Sequence, residues 1–277
     1  MNSHLNKFSR SGLLLSMLVF AACAAGPREM PYPAFIEADA LPDVFMVGLP
    51  GIRAKQLAGN PDTRRSSNRL LLPPKWTFGT GAAPDKSVEI YVLAGEIQLG
   101  DFKLGPGGYA YIPPGSMGLR MQTEAGASLL YFLDDANPAS IIQTPMILSR
   151  DILNWQPISD DPNDVGVSSK ELRFDPGSGA RTELLRIEAG ATRPWMQSTV
   201  AEEGYLLEGS YQHSECVDGK IITARYAPGG YYHRPAGAIN GSLSGDSAAV
   251  WLVRTLGHGT TTVVAACTAQ TPGPDYS

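Results

Sequence analysis

The sequence predicts an all-β protein built from two similar barrels in tandem, and three observations support this. Its 30 glycines and 22 prolines are scattered along 277 residues, as many short strands joined by turns require. Apolar residues alternate or run over strand lengths, and no stretch holds a helical period for more than about two turns. The chain also repeats itself. Gly51, Lys55, Leu57 and Pro61 fall on Gly166, Lys170, Leu172 and Pro176 at an offset of 115 residues. "EIYVLAGE" from Glu89 falls on "EGYLLEGS" from Glu203 at an offset of 114, and "GGYAYIPPGSMG" from Gly107 on "GGYYHRPAGAIN" from Gly229 at 122. The second copy therefore holds eight extra residues, within "YQHSECVDGKIITARY".

Taken in order, the chain opens with Lys7 and Arg10 ahead of the apolar run "SGLLLSMLVFAA", the layout of an export signal. Those 12 residues fall short of the roughly 20 that span a bilayer. "FAAC" then resembles a bacterial lipobox, in which Cys23 is acylated and becomes the new N-terminus. Phe20 departs from the usual aliphatic residue, and simple cleavage after "AACAA" is the alternative. Ala24 in place of an aspartate implies an outer-membrane anchor facing the periplasm. Residues 1–22 are thus expected to be the signal, and 23–39, polar and proline-rich, an extended tether. The first barrel is expected over 40–147, the second over 148–265 and a tail over 266–277. "SRDILNWQPI" marks the boundary between the copies as an edge strand or short turn.

Charge and cysteines narrow the partners. A net charge of −5 without a long basic run argues against nucleic acid. Lipidation of Cys23 leaves Cys216 and Cys267 as a pair that an oxidising compartment could bridge; two buried free thiols are the alternative. No nucleophile elbow, phosphate-binding glycine loop, C-x-x-C or H-E-x-x-H is present.

The repeated residues resemble the cupin superfamily. Gly107, Pro113 and Gly115, and again Gly229, Pro235 and Gly237, match the frame of its second motif. Glu89 with Gly95 and Glu203 with Gly209 match the end of its first. The wording looks closest to the bicupins grouped with the C-terminal domain of ChrR-type anti-sigma factors. The resemblance implies two RmlC-like jelly-roll barrels, a metal held by three histidines and a glutamate, and in many relatives a homodimer formed by strand exchange. Here the ligand set fails. Counting back from Glu203, the histidine positions hold Met196 and Ser198, and the second-motif histidine is Asn240. The first copy has Ala82, Pro84 and Gly118 there, so imidazole is missing from all six places. A thioether, a hydroxyl, an amide and one carboxylate make no tight transition-metal set. No metal and no cofactor are expected.

The leading expectation is a periplasmic, lipid-anchored bicupin that binds an unknown small molecule or serves a structural role. Its pocket would lie in the second barrel, formed by Met196, Ser198, Glu203 and Asn240 with Trp195 at the mouth. The alternative is a metal-independent enzyme that uses Glu203 and His233 with Tyr205 or Tyr231 as acid and base, as RmlC-type sugar epimerases use a His–Asp pair and a tyrosine. A metal-dependent dioxygenase or lyase is disfavoured by the missing histidines, and an anti-sigma role by the export signal. Plainer readings stand beside these. Glu89 and Glu203 could pair with Arg120 or Arg234, Met196 could fill core, Asn240 could brace a loop, and His213 is expected to be exposed in the inserted hairpin.

Overall fold

A computed structural model describes residues 32, 35–46, 48–116, 118–158, 166–241, 243–244 and 247–268. The export segment and Cys23 lie outside these. The described residues contain strands and two short 3-10 turns, Ala38–Ala40 and Arg150–Ile152, and no α-helix.

Two sheets make each barrel. In the first, seven antiparallel strands run in the order Met146–Leu148, Tyr109–Ile112, Lys86–Gly95, Ala127–Asp135, Ser66–Leu72, Arg53–Gly59 and Asp43–Val44. A four-stranded sheet of Thr77–Gly79, Arg120–Gln122, Ile97–Leu99 and Phe102–Leu104 closes over it. The second barrel repeats the plan. Its large sheet orders Ile36–Glu37, Gly230–Arg234, Glu202–Glu208, Ala249–Leu256, Ala180–Ile187, Val167–Phe174 and Gln156–Pro157. The smaller sheet orders Lys220–Tyr226, Tyr211–Val217, Ile239–Gly241, Trp195–Ser198 and Thr261–Val264.

The two copies exchange their leading strands. Ile36–Glu37, at the end of the segment expected to be tether, pairs with Tyr231 and Gly230 of the second barrel. Met146–Leu148 pairs with Tyr111 to Tyr109 of the first. The eight extra residues of the second copy lengthen one hairpin. Its strands Tyr211–Val217 and Lys220–Tyr226 have seven residues each, where Ile97–Leu99 and Phe102–Leu104 have three. Asp218 and Gly219 turn it with φ of 51° and 75°, the left-handed pair a tight hairpin needs. The start of the expected tail is tied down as well, because Cys267 is bonded to Cys216 with their Cα atoms 5.4 Å apart.

Side chains alternate across each large sheet, and the two faces have different fates. In the first barrel Val88, Ile90 and Val92 point inward and join Ile97, Leu99 and Met121 in a closed apolar core. Their neighbours Tyr91 and Leu93 point outward. There they pack with Leu130 and Phe132 against Leu184, Tyr205, Tyr231 and Leu252 of the second barrel. The described residues thus form three cores: one in each barrel and one between the two large sheets.

The motif glycines hold this geometry. Gly95 and Gly209 have φ of 76° and 80°. A Cβ on them would lie 2.3 Å from the Gly126 carbonyl oxygen and 1.9 Å from that of Ala248, so a larger residue would push neighbouring strands apart.

Candidate functional site

The alternation decides where each acidic candidate lies. Glu203 is an outward residue: it faces the first barrel, not its own interior. It accepts hydrogen bonds from Ser67 Oγ at 2.6 Å and Tyr231 Oη at 2.7 Å and pairs with Arg254. Glu89 does the same from the other side. It accepts from Tyr109 Oη at 2.7 Å and Thr182 Oγ1 at 2.5 Å, and binds Arg173 at 2.6 Å and Arg254 at 3.0 Å. The expected pairing with an arginine is thus real, but the partners are Arg254 and Arg173, not Arg120 or Arg234. Burial alone would raise the Glu89 pKa; Arg173, Arg254 and the two hydroxyls outweigh it and hold it at about 2. Burial would likewise raise the Glu203 pKa, and Arg254, with the Ser67 and Tyr231 hydroxyls, outweighs it and lowers it.

The acid–base set proposed from sequence therefore collects between the barrels. His233 lies directly opposite Glu203 on the neighbouring strand, on the same face. Both line a void of about 20 Å³ with Ser67 and Arg254. That is room for about one water. Tyr231 and Tyr205 belong to the apolar layer around it. Glu203 and His233 do share a cavity, and the space between them is the size of one water.

The second barrel's own interior is a different place. Met196, Ser198 and Asn240 line a cavity of about 300 Å³, and Met196 stands opposite Asn240 across two strands. The carboxylate facing them is Glu202, and Glu203 is corrected out of this pocket. Six residues separate Glu202 from Gly209. The same spacing from Gly95 falls on Val88, which is fully buried in the first barrel's apolar core. Trp195 points away from Met196 along its strand and pairs with Val264 on the outer sheet. It does not line the cavity.

Glu202 is not free to act as a metal ligand. Arg234, directly opposite it, binds it at 2.6 Å, and Tyr232 Oη donates to it at 2.8 Å. Arg234 also holds Glu215 at 2.7 Å and touches His213 Nε2. Tyr32, from the N-terminal segment, donates to Glu215 at 2.9 Å. Burial would raise the Glu215 pKa, but Arg234 and His213 bring it to about 2. His213 is 7% exposed, contrary to the exposed position expected for it, and it stacks on Tyr232 with ring centroids 6.0 Å apart. Gly204 makes this stack fit, since a Cβ there would meet the Tyr232 ring at 2.3 Å.

Burial lowers the His213 pKa first, and the adjacent Arg234 charge lowers it further, so the ring is neutral at pH 7. Nε2 faces both Arg234, which can only donate, and the Glu215 carboxylate at 3.2 Å, which can only accept.

The donor set does not fit a transition metal. Among the described residues no three His, Cys, Asp or Glu side chains converge. Met196, Ser198 and Asn240 are weak donors, and the one carboxylate at the motif position already neutralises a guanidinium. Sequence reasoning missed Glu202, Tyr232 and Glu215, and named Arg234 only as a partner for Glu89 or Glu203. The spacing to Gly209 was the signal that could have selected Glu202.

Two jelly-roll barrels with exchanged leading strands and this repeated motif frame define a cupin-type double-barrel protein. The chain belongs to the family described as "Domain of unknown function (DUF4437)", which matches residues 50–261. No curated protein matches it. Solved structures share the fold at low identity. A candidate dioxygenase from Nostoc punctiforme has a TM-score of 0.63 at 22% identity, with 87% of each chain covered. Protein Ylba from E. coli gives 0.61 at 17%, covering 80% of this chain and 90% of that one. A serine-to-alanine variant of the oxalate decarboxylase of Bacillus subtilis gives 0.57 at 16%, covering 83% and 79%.

Proposed function

We propose that this protein is a small-molecule-binding cupin that works without a metal, with the ligand site in the second barrel and a filled first barrel as scaffold. One observation carries the reading: Arg234 bridges Glu202 and Glu215 within a barrel that still encloses about 300 Å³. A guanidinium between the carboxylates supplies the positive charge that a metal would supply in a metal-binding cupin, and a second cation there would be repelled. The cavity falls at the small end of ligand pockets, which run from roughly 300 Å³ upward.

Acid–base catalysis has less support. Glu203 and His233 face a void of one water's size, and the His213 ring is enclosed by Arg234, Glu215 and Tyr232.

Export and lipid anchoring at Cys23 complete the proposal. The signal-like N-terminus and the Cys216–Cys267 bond, which needs an oxidising compartment, support it.

The test is elemental analysis of untagged protein purified from periplasmic membranes. Less than about a tenth of an equivalent of any transition metal is expected, with unchanged thermal unfolding in chelator. Stoichiometric metal that disappears in Glu202→Ala would overturn the reading.

A further inference from the structure

We infer that the second barrel takes a small monocarboxylate anchored by the guanidinium of Arg193; this rests on that barrel being a binding pocket. Three arginines line the cavity: Arg181, Arg193 and Arg234. Two have carboxylate partners. Arg181 pairs with Glu171 at 3.5 Å, and Arg234 with Glu202 and Glu215. Arg193 has none among the described residues. Its one hydrogen-bond contact there is Met196 Sδ at 3.5 Å, the Tyr211 phenol lies within its field, and its Nε is buried without an acceptor. A thioether is a weak acceptor, so this cation lacks both a counterion and full hydration.

A second donor waits in the same cavity. Trp251 lines it, is 2% exposed, and its indole Nε1–H finds no acceptor. Two unsatisfied donors at one cavity call for a ligand rich in acceptor oxygens, because a buried donor left alone is destabilising. A carboxylate is the simplest such group and matches the planar fork of an arginine.

Charge and shape limit the rest of the ligand. Glu183 and Glu202 also line the cavity, so a monoanion balances Arg193 while a dianion such as phosphate would add charge beside them. Leu185, Ile187, Met196 and Trp251 form apolar walls for the remainder of the molecule.

The probes are acetate, butyrate and benzoate, with inorganic phosphate and xylose as contrasts, read by isothermal titration and thermal shift. Wild type should bind a monocarboxylate, and Arg193→Gln should weaken it tenfold or more, about the loss of one charge-assisted contact. Lys103→Gln, at an exposed ion pair of the first barrel away from the cavity, should bind as wild type does. Arg193→Lys keeps the charge but not the fork and should retain part of the affinity, which separates anchoring from misfolding. Equal carboxylate binding by Arg193→Gln overturns the anchor, and phosphate preferred over every carboxylate overturns the ligand class. Xylose binding with no carboxylate binding also overturns the class while leaving the pocket standing. Silence from all probes overturns the ligand class too, and metal at Glu202 would sink the pocket reading itself.

Discussion

The two barrels share a frame and differ in what fills it. At the motif position the first has Val88, fully buried among Ile90, Val92, Leu99 and Met121, and the second has Glu202, facing Arg234 and an open cavity. Glycines, prolines and strand order are kept in both. The frame is therefore set by backbone requirements, such as the left-handed Gly95 and Gly209, which act regardless of what lies inside. The interior tolerates either a dry apolar core or a polar one, provided every buried charge has a partner. In the second barrel Arg193 is the exception.

The sharpest way to break this comparison is to transplant the carboxylate. Val88→Glu should cost about 4 kcal/mol or more, since the new charge would be buried among apolar side chains without a partner. The reciprocal Glu202→Val should cost about 2 kcal/mol or less, because Arg234 keeps Glu215. Chemical denaturation of both variants measures the asymmetry; equal costs would mean the interiors are not different in kind.

The core between the barrels comes next. Arg254→Met should cost about 3–5 kcal/mol, because it takes the guanidinium from buried Glu203 and leaves Glu89 to Arg173 and Asp134 to Arg65 alone. The same network fixes an acid response. Glu89 has a folded pKa of about 2, below its unfolded value near 4.5. Its stabilisation is present above the unfolded value and is lost as pH falls from there towards 2. Unfolding free energy measured between pH 6 and pH 2, at roughly the carboxylate range, should fall more steeply in wild type than in a Glu89→Gln variant.

The disulfide acts on the second barrel alone. Cys267→Ser should cost about 2–4 kcal/mol, in keeping with the 51-residue separation it closes, and should leave the first barrel's protection from hydrogen exchange intact. The smallest effect on stability is expected at the N-terminus. Cys23→Ser should release the protein from membranes into the soluble periplasm with unfolding changed by less than about 0.5 kcal/mol. Fractionation that still finds the variant in membranes would count against the lipid anchor.

The fold was legible because its signals are local and repeated. Motif glycines and strand alternation are properties of a few adjacent residues, and the copy-to-copy offset exposed them twice. The pocket's outer frame was legible too: Met196, Ser198 and Asn240 do meet in one cavity. The charge inside it was not. Glu202 and Glu203 are adjacent and chemically identical, and strand parity alone sends one into the barrel and the other to the interface. That parity is fixed by register with Arg234 and His233 on a strand about thirty residues away. The core between the barrels was also invisible, because Ser67 reaching Glu203, or Thr182 reaching Glu89, is a contact between copies that no single-copy motif encodes.

The measurement that tests the division of labour most directly is a high-resolution crystal structure of protein purified from the periplasm without added ligand. The account predicts non-protein density in the second barrel against Arg193 and Trp251, a light-atom peak height throughout, and a first barrel filled by its own side chains. A metal-height peak beside Glu202, or a ligand among Val88, Ile90 and Met121, would contradict it.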